Sequence, residues 1–289
     1  MREIKILAIL VVIVGVIYWG VEPLAHSVFH PKKAPADYQF KDVKDLQVML
    51  PGNAESGKVL VENNCAGCHN VTTPENELKA RNADGVQGPD LKEMGYLYAP
   101  EFLSAFLKDP LKVAMLDKKL EGKEDLYQMS VIAGTLDDQQ IADIVAYLKS
   151  IAPQEMSNRE VFVQACSRCH EMKYDGINGL KGIQVATPSK LVQEYLGAPA
   201  PDLSMMFRSK GAHYLELFIN DPQKMLPGTS MPRVGLSEKA EKQVLSYMEE
   251  IADPKKAERE SLGIKLMLYS AIMAVIAYLW KRRVWKDLH

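Results

Sequence analysis

The chain has 289 residues, 35 of them Lys or Arg and 37 Asp or Glu, with 47% hydrophobic residues. That is room for two domains of ordinary size. A formal net charge of −2 supplies none of the basic surplus that a nucleic-acid partner requires, so no nucleic acid is expected. Four cysteines in so long a chain also exclude a small disulfide-stapled scaffold. The charge is unevenly spread. Setting aside residues 1–21 and 264–289 leaves 28 basic against 35 acidic residues, a net of −7, which suits steering of a basic partner and equally suits ordinary solubility.

Ile6 to Val21 is an almost unbroken apolar run, with Arg2 and Lys5 ahead of it and Tyr18-Trp19 near its far end. Basic start, apolar middle and interfacial aromatics describe a helix that enters a bilayer from the cytoplasm. A cleaved secretory signal is the competing reading, but no A-x-A site follows in Val21-Glu22-Pro23-Leu24-Ala25-His26. Residues 1–24 are therefore expected to be a retained membrane anchor and residues 25–51 a linker. His26 and His30 in that linker read as interfacial or exposed histidines rather than ligands.

Residues 52–153 and 154–256 read as two copies of one domain. Each carries a C-x-x-C-H pentapeptide, Cys65-Ala66-Gly67-Cys68-His69 in the first and Cys166-Ser167-Arg168-Cys169-His170 in the second. This is the attachment signature of a c-type haem. The two thiols add to the haem vinyl groups, and the adjoining histidine falls beneath the iron as its proximal ligand. A redox dithiol or a four-cysteine zinc site would use the same cysteines. The redox dithiol does not call for the histidine that follows both pairs. Two covalently bound haem c groups are the expected cofactors.

Downstream, Pro89-Asp90-Leu91 is matched by Pro201-Asp202-Leu203. Phe102, Leu103, Phe106, Leu107, Asp109 and Pro110 fall opposite Tyr214, Leu215, Phe218, Ile219, Asp221 and Pro222 at the same offset. A short apolar turn precedes each motif, Val59-Leu60-Val61 and Val161-Phe162-Val163, the second behind a Ser157/Glu160 capping box. Each copy ends in an amphipathic helix. Ile144, Val145, Leu148 and Ile151 follow a Thr135/Asp137 start, and Val244, Leu245, Met248 and Ile251 follow a Ser237 cap. Most of these residues pack helices and carry no chemistry.

This order of elements resembles the class I cytochrome c fold. The implied fold class is all-α, with two tandem class I cytochrome c-like domains between an N-terminal and a C-terminal transmembrane helix. Met231, in Gly228-Thr229-Ser230-Met231-Pro232 just ahead of the last helix, is the expected sixth ligand of the second haem, ahead of His213. Met129 is its counterpart in the first copy, with Met115 as a rival and no proline after it. Met94 and Met206 match each other and read as packing. Pro89 and Pro201 lie where a class I cytochrome offers a backbone carbonyl to the other ring nitrogen of the proximal histidine.

Leu266 to Trp280 is apolar apart from Ser270 and two tyrosines, and Lys281-Arg282-Arg283 follows. Fifteen residues make about 22 Å of helix, short for a span unless flanking side chains snorkel. A buried core helix is the alternative, but a basic cluster directly after the apolar run fits a cytoplasmic end. Residues 257–289 are read as a second anchor with a cytoplasmic tail.

The second copy is similar to cytochrome c1, the haem subunit of the cytochrome bc1 complex. The similarity rests on Val161-Phe162, on Glu171-Met172-Lys173 and on the run Ala198 to Ser204 with Arg208, Gly211 and Tyr214. It continues into the tail through Arg259, Gly263, Lys265, Tyr278, Lys281-Arg282 and Trp285. It implies His170 and Met231 as ligands of the haem that takes electrons from a Rieske iron–sulfur subunit, with Arg208 near a haem propionate. The extra haem domain and the expected retained anchor depart from that family, and resemble the dihaem subunits of some bacterial quinol oxidoreductases.

The expectation is thus a dihaem subunit of a quinol:cytochrome c oxidoreductase in the bacterial inner membrane. Its haem domains would be periplasmic and both termini cytoplasmic. Its partners would be cytochrome b, the Rieske subunit, membrane lipid and a cytochrome c or terminal oxidase as acceptor, within a dimeric complex. Such a subunit has no bond-making catalytic residues of its own. The alternatives are a dihaem subunit of a terminal oxidase, a membrane-tethered electron shuttle, and a dihaem peroxidase with one open iron position.

Overall fold

The computed structural model describes residues 2–29, 36–72, 77–78, 88–178 and 194–286; His30 lies outside them. Residues 1–36 and 37–289 form two separate units.

In the first unit, helix Arg2–Val16 runs through a π-helical stretch, Ile17–Val21, into helix Glu22–Phe29. Pro23 has no N–H to offer the carbonyl four residues back, and the widened turn sits where that bond is missing. Mean hydropathy over this helix reaches 2.6, and no residue of Arg2–Val16 is buried. A helix that is apolar on all sides along this length fits membrane anchoring.

The second unit is helical, with one two-stranded ribbon pairing Val71–Thr72 and Glu77–Leu78 among the described residues. Its first half opens with helix Ala54–Asn64, where the Asn53 side chain accepts from the Glu55 and Ser56 amides at 2.9 and 3.2 Å. It closes with helix Asp138–Ile151 behind a complete Asp137/Gln140 capping box. These two helices cross at backbone contact. A Cβ on Gly57 would stand 2.6 Å from the Asp143 carbonyl carbon and 2.8 Å from Tyr147 Cβ. Between them lie Met94–Leu97, Pro100–Lys108 and Pro110–Val113.

The second half repeats the plan. Opening helix Asn158–Cys166 starts at a Ser157/Glu160 capping box, and closing helix Glu238–Ala252 is capped by Ser237. Here the crossing is made by rings rather than by glycine: Phe162 and Tyr247 stand 4.9 Å apart between centroids. Tyr247 Oη donates to Asp175 at 2.5 Å, and Asp175 pairs with Arg159 at 2.6 Å. The duplicated Asp-Pro pairs do one job twice. Asp109 caps Pro110–Val113 and Asp221 caps Pro222–Met225, each with proline at the helix start.

One hydrophobic core runs through both halves. Val61, Leu97, Ile141 and Ile144 of the first join Phe162, Met172, Leu236 and Val244 of the second. The seam is also hydrogen-bonded. Tyr98 and Leu236 form a backbone bridge, and the Ser237 amide donates to the Leu97 carbonyl at 2.8 Å. Residues 37–48, within the segment read as linker, also pack: Val48 joins this core, while Phe40 and Val43 form a smaller cluster with Phe102, Ala105 and Val113. Phe40, Val43 and Val48 are buried, Phe40 stands 5.2 Å from the Phe102 ring, and Asp42 pairs with the buried Arg233 at 2.5 Å. The apolar residues here are spaced among lysines and aspartates, so composition hides them.

The C-terminal helix, Lys256–Val284, is 29 residues long. That is about 44 Å, twice the length of the apolar run alone, because the polar flank Lys256–Lys265 and the basic Lys281-Arg282-Arg283 stay helical. The cations in the last turn favour it through the helix dipole. It too buries no residue, and its mean hydropathy reaches 1.9.

Candidate functional site: two histidine–proline pockets

Each opening helix delivers its cysteine pair from its last turn. Cys65 caps the first helix, and the His69 amide donates to the Cys65 carbonyl at 2.9 Å. Cys166 ends the second, and the His170 amide donates to the Cys166 carbonyl at 3.0 Å. One tight turn therefore carries both sulfurs and the imidazole. No disulfide joins the four cysteines. Cys65, Cys166 and Cys169 are half-buried and Cys68 is exposed.

Both imidazoles are held from behind. His69 Nδ1 lies 2.8 Å from the Pro89 carbonyl oxygen, and His170 Nδ1 lies 2.9 Å from that of Pro201. A carbonyl only accepts, so Nδ1 carries the proton in each ring and Nε2 keeps its lone pair. Burial lowers the pKa of both histidines, which keeps them neutral. A neutral imidazole with a free Nε2 lone pair is a metal ligand.

The aspartate after each proline holds the carbonyl in place. Asp90 accepts from the Thr72 hydroxyl and from the Thr72 and Lys92 amides, the latter two at 3.2 and 3.0 Å. Asp202 accepts from the Lys173 and Ser204 amides at 3.2 and 3.1 Å and from the Ser204 hydroxyl at 2.7 Å. The leucine that follows donates its amide to the residue just after the histidine, Leu91 to Asn70 and Leu203 to Glu171, both at 2.9 Å. The Pro-Asp-Leu repeat is thus a clasp between the motif and the loop opposite. Sequence reading found the prolines but gave the aspartates no task.

The two pockets differ in cover. Gly88 lies flat on the His69 ring, where a Cβ would stand 2.8 Å from Nε2 and closer to Cε1 and Nδ1. At the matching position the second half has Ala200. His69 is 8% exposed, whereas His170 is half-buried.

Met129 lies in the short turn Gln128–Ile132, half-buried against the main core. Met231 is also half-buried, and its amide donates to Thr229 Oγ1 at 3.2 Å. Met115 has a left-handed backbone, φ 59°, a conformation that non-glycine residues seldom adopt. His213 is exposed, 3.9 Å from Glu216. Met94 is buried and Met206 packs on the same core. Arg208 is exposed in helix Met206–Lys210, and its charge adds to that of Arg259 in holding the Asp253 carboxyl below its usual range.

The residues fit covalent haem better than the alternatives. Among the described residues no three His, Cys, Asp or Glu side chains converge as a metal cluster, so the two cysteine pairs do not build a four-cysteine zinc site. Burial, with the neighbouring Cys68, pushes the Cys65 thiol up to about 11, and burial with Cys169 pushes Cys166 to about 12.

Residues 54–152 match the cytochrome c family, and residues 235–288 match the cytochrome C1 family. No curated protein matches the chain. Among solved structures, a chain of a "Hyperthermophilic respiratory Complex III" is 24% identical with a TM-score of 0.36, covering 46% of this chain and 75% of that one. With a cytochrome c match in its first half and a cytochrome C1 match through its closing helix and tail, the chain is cytochrome c1-like, and its cytochrome c domain implies covalently bound haem c.

Proposed function

We propose that this chain is a dihaem electron-transfer subunit of a quinol:cytochrome c oxidoreductase. It passes single electrons from a Rieske iron–sulfur protein to a cytochrome c or a terminal oxidase. The observation that carries the count of two is the shared plan of the pockets: cysteine pair, histidine, proline carbonyl and aspartate clasp occur in both halves. The cytochrome C1 match over residues 235–288 supports the complex.

Bound haem supplies a one-electron iron couple at each pocket. The chain's part is to hold it. Cys65 and Cys68 would anchor the first group, with His69 and Met129 as the residues that would hold its iron. Cys166 and Cys169 would anchor the second, with His170 and Met231. Closing both axial positions favours electron transfer over chemistry at iron. Arg208 serves a propionate of the second group. The pocket at His170, in the half that leads into the cytochrome C1 match, would take the electron, and the pocket at His69 would hand it on. Residues 1–24 and 257–289 anchor residues 52–153 and 154–256 at the periplasmic face of a bacterial inner membrane, with both termini cytoplasmic.

The test is subunit identification of the detergent-extracted complex, with haem counted per chain as the pyridine derivative. Two haems, with a cytochrome b and a Rieske protein in the same particle, are expected. A single haem, or a chain that purifies alone, overturns the proposal.

A further inference from the structure

Two tyrosines join the loops that carry the methionines. Tyr127 opens the turn that holds Met129, and its carbonyl accepts from the Ser130 amide at 2.8 Å. Its ring stacks on Tyr195 of the second half, with centroids 6.2 Å apart and planes 28° from parallel. Tyr195 in turn grips the residue next to Met231. Its hydroxyl donates to the Ser230 carbonyl at 2.7 Å, while the Ser230 hydroxyl donates to the carbonyls of Tyr195 and Leu196 at 3.0 and 3.1 Å. Both rings pack against a small core of Ala114, Leu116 and Leu120, so a second-half side chain completes a first-half cluster. The same loop is held twice more: the Arg233 amide donates to the Ala114 carbonyl, and Lys119 Nζ donates to the Gly228 carbonyl, both at 2.9 Å.

We infer that Tyr127 and Tyr195 are positioning residues which make the axial ligation of the two haems interdependent. This rests on the dihaem reading above. A methionine sulfur is a weak ligand on a flexible side chain, so its approach to iron depends on where its loop is held. Offset-stacked rings at this separation attract one another. The hydrogen bonds at Ser230 carry that contact to the backbone beside Met231. Moving either ring therefore loosens both loops. A packing role confined to one half would disturb only the haem of that half.

The experiment uses the full chain in its complex, with two haems per chain confirmed first. Tyr127→Leu and Tyr195→Leu are compared by potentiometric titration and by the methionine-sulfur-to-ferric-iron charge-transfer absorption. Each single variant is expected to shift the midpoint potentials of both haems and to lose charge-transfer intensity at both. The double variant is expected to add little to either single. Tyr127→Phe keeps the stacked ring and restores wild-type values. If each variant moves only the haem of its own half, or if the effects simply add, the inference is overturned while the dihaem reading stands. One haem per chain overturns both. Should Tyr127→Leu fail to fold, Tyr195→Phe, which keeps the ring and removes the bond to Ser230, must still shift both potentials.

Discussion

Gly57→Ala tests whether the first pocket depends on two helices touching through their backbones. In an open helix this change would stabilise by about 1 kcal/mol, because alanine is the better helix former. Here the new methyl meets the Asp143 carbonyl carbon at 2.6 Å and Tyr147 Cβ at 2.8 Å, with the Asp143 oxygen nearer still. None of these is the tip of a flexible side chain. Regaining ordinary carbon separations needs roughly 1 Å of helix displacement. Overpacking of this kind costs about 2–3 kcal/mol, which lowers Tm by about 5–10 °C for a unit of this size. Differential scanning of the detergent-solubilised holoprotein gives the number, with exposed Lys58→Ala as the control for helix propensity. An unchanged or higher Tm for Gly57→Ala would refute the crossing.

Two further perturbations address the pocket and the buried charge. Gly88→Ala places a methyl against the His69 ring and is expected to break the Nδ1 bond to Pro89. On the proposed dihaem reading, the haem at His69 should become partly high-spin while the haem at His170 keeps its spectrum, and an unaltered spectrum would contradict the packing. Glu241 is fully buried, bonded to Asn220 at 2.6 Å, and burial raises its pKa to about 7. The folded state holds this proton more tightly than the unfolded chain, so stability is full below about pH 4.5 and falls as pH rises to about 7. The loss is about 3 kcal/mol, and Glu241→Gln should flatten that part of the profile in denaturant titrations. A profile as steep as wild type would assign the pH dependence elsewhere.

The helical architecture was legible because the duplication prints itself in the chain. Two C-x-x-C-H motifs, two Pro-Asp-Leu runs and two capped amphipathic helices recur in the same order in both halves, and local chemistry dictates each of them. The Ser157/Glu160 box and the Asp137 start are examples, since a cap is written within four residues. What stayed hidden involves distance along the chain. Tyr127 meets Tyr195, and Asp42 meets Arg233, across stretches that no period or spacing connects. Gly88 carried a faint signal in standing directly before Pro89, yet only the ring beneath it explains why that position is small. Asp90 and Asp202 recur conspicuously, but their task as clasps appears only once the amides around them are placed.

The common core and the Tyr98–Leu236 bridge also bear on kinetics. Modules joined by a slack tether must collide before charge can hop between them, and thickening the solvent slows that search. Here, among the described residues, a shared core and a backbone bridge join the two halves, so packing rather than a tether sets the gap between the histidines. If the chain holds the two haems proposed above, transfer between them should therefore be indifferent to viscosity, and any drag on turnover would belong to partners that arrive and leave.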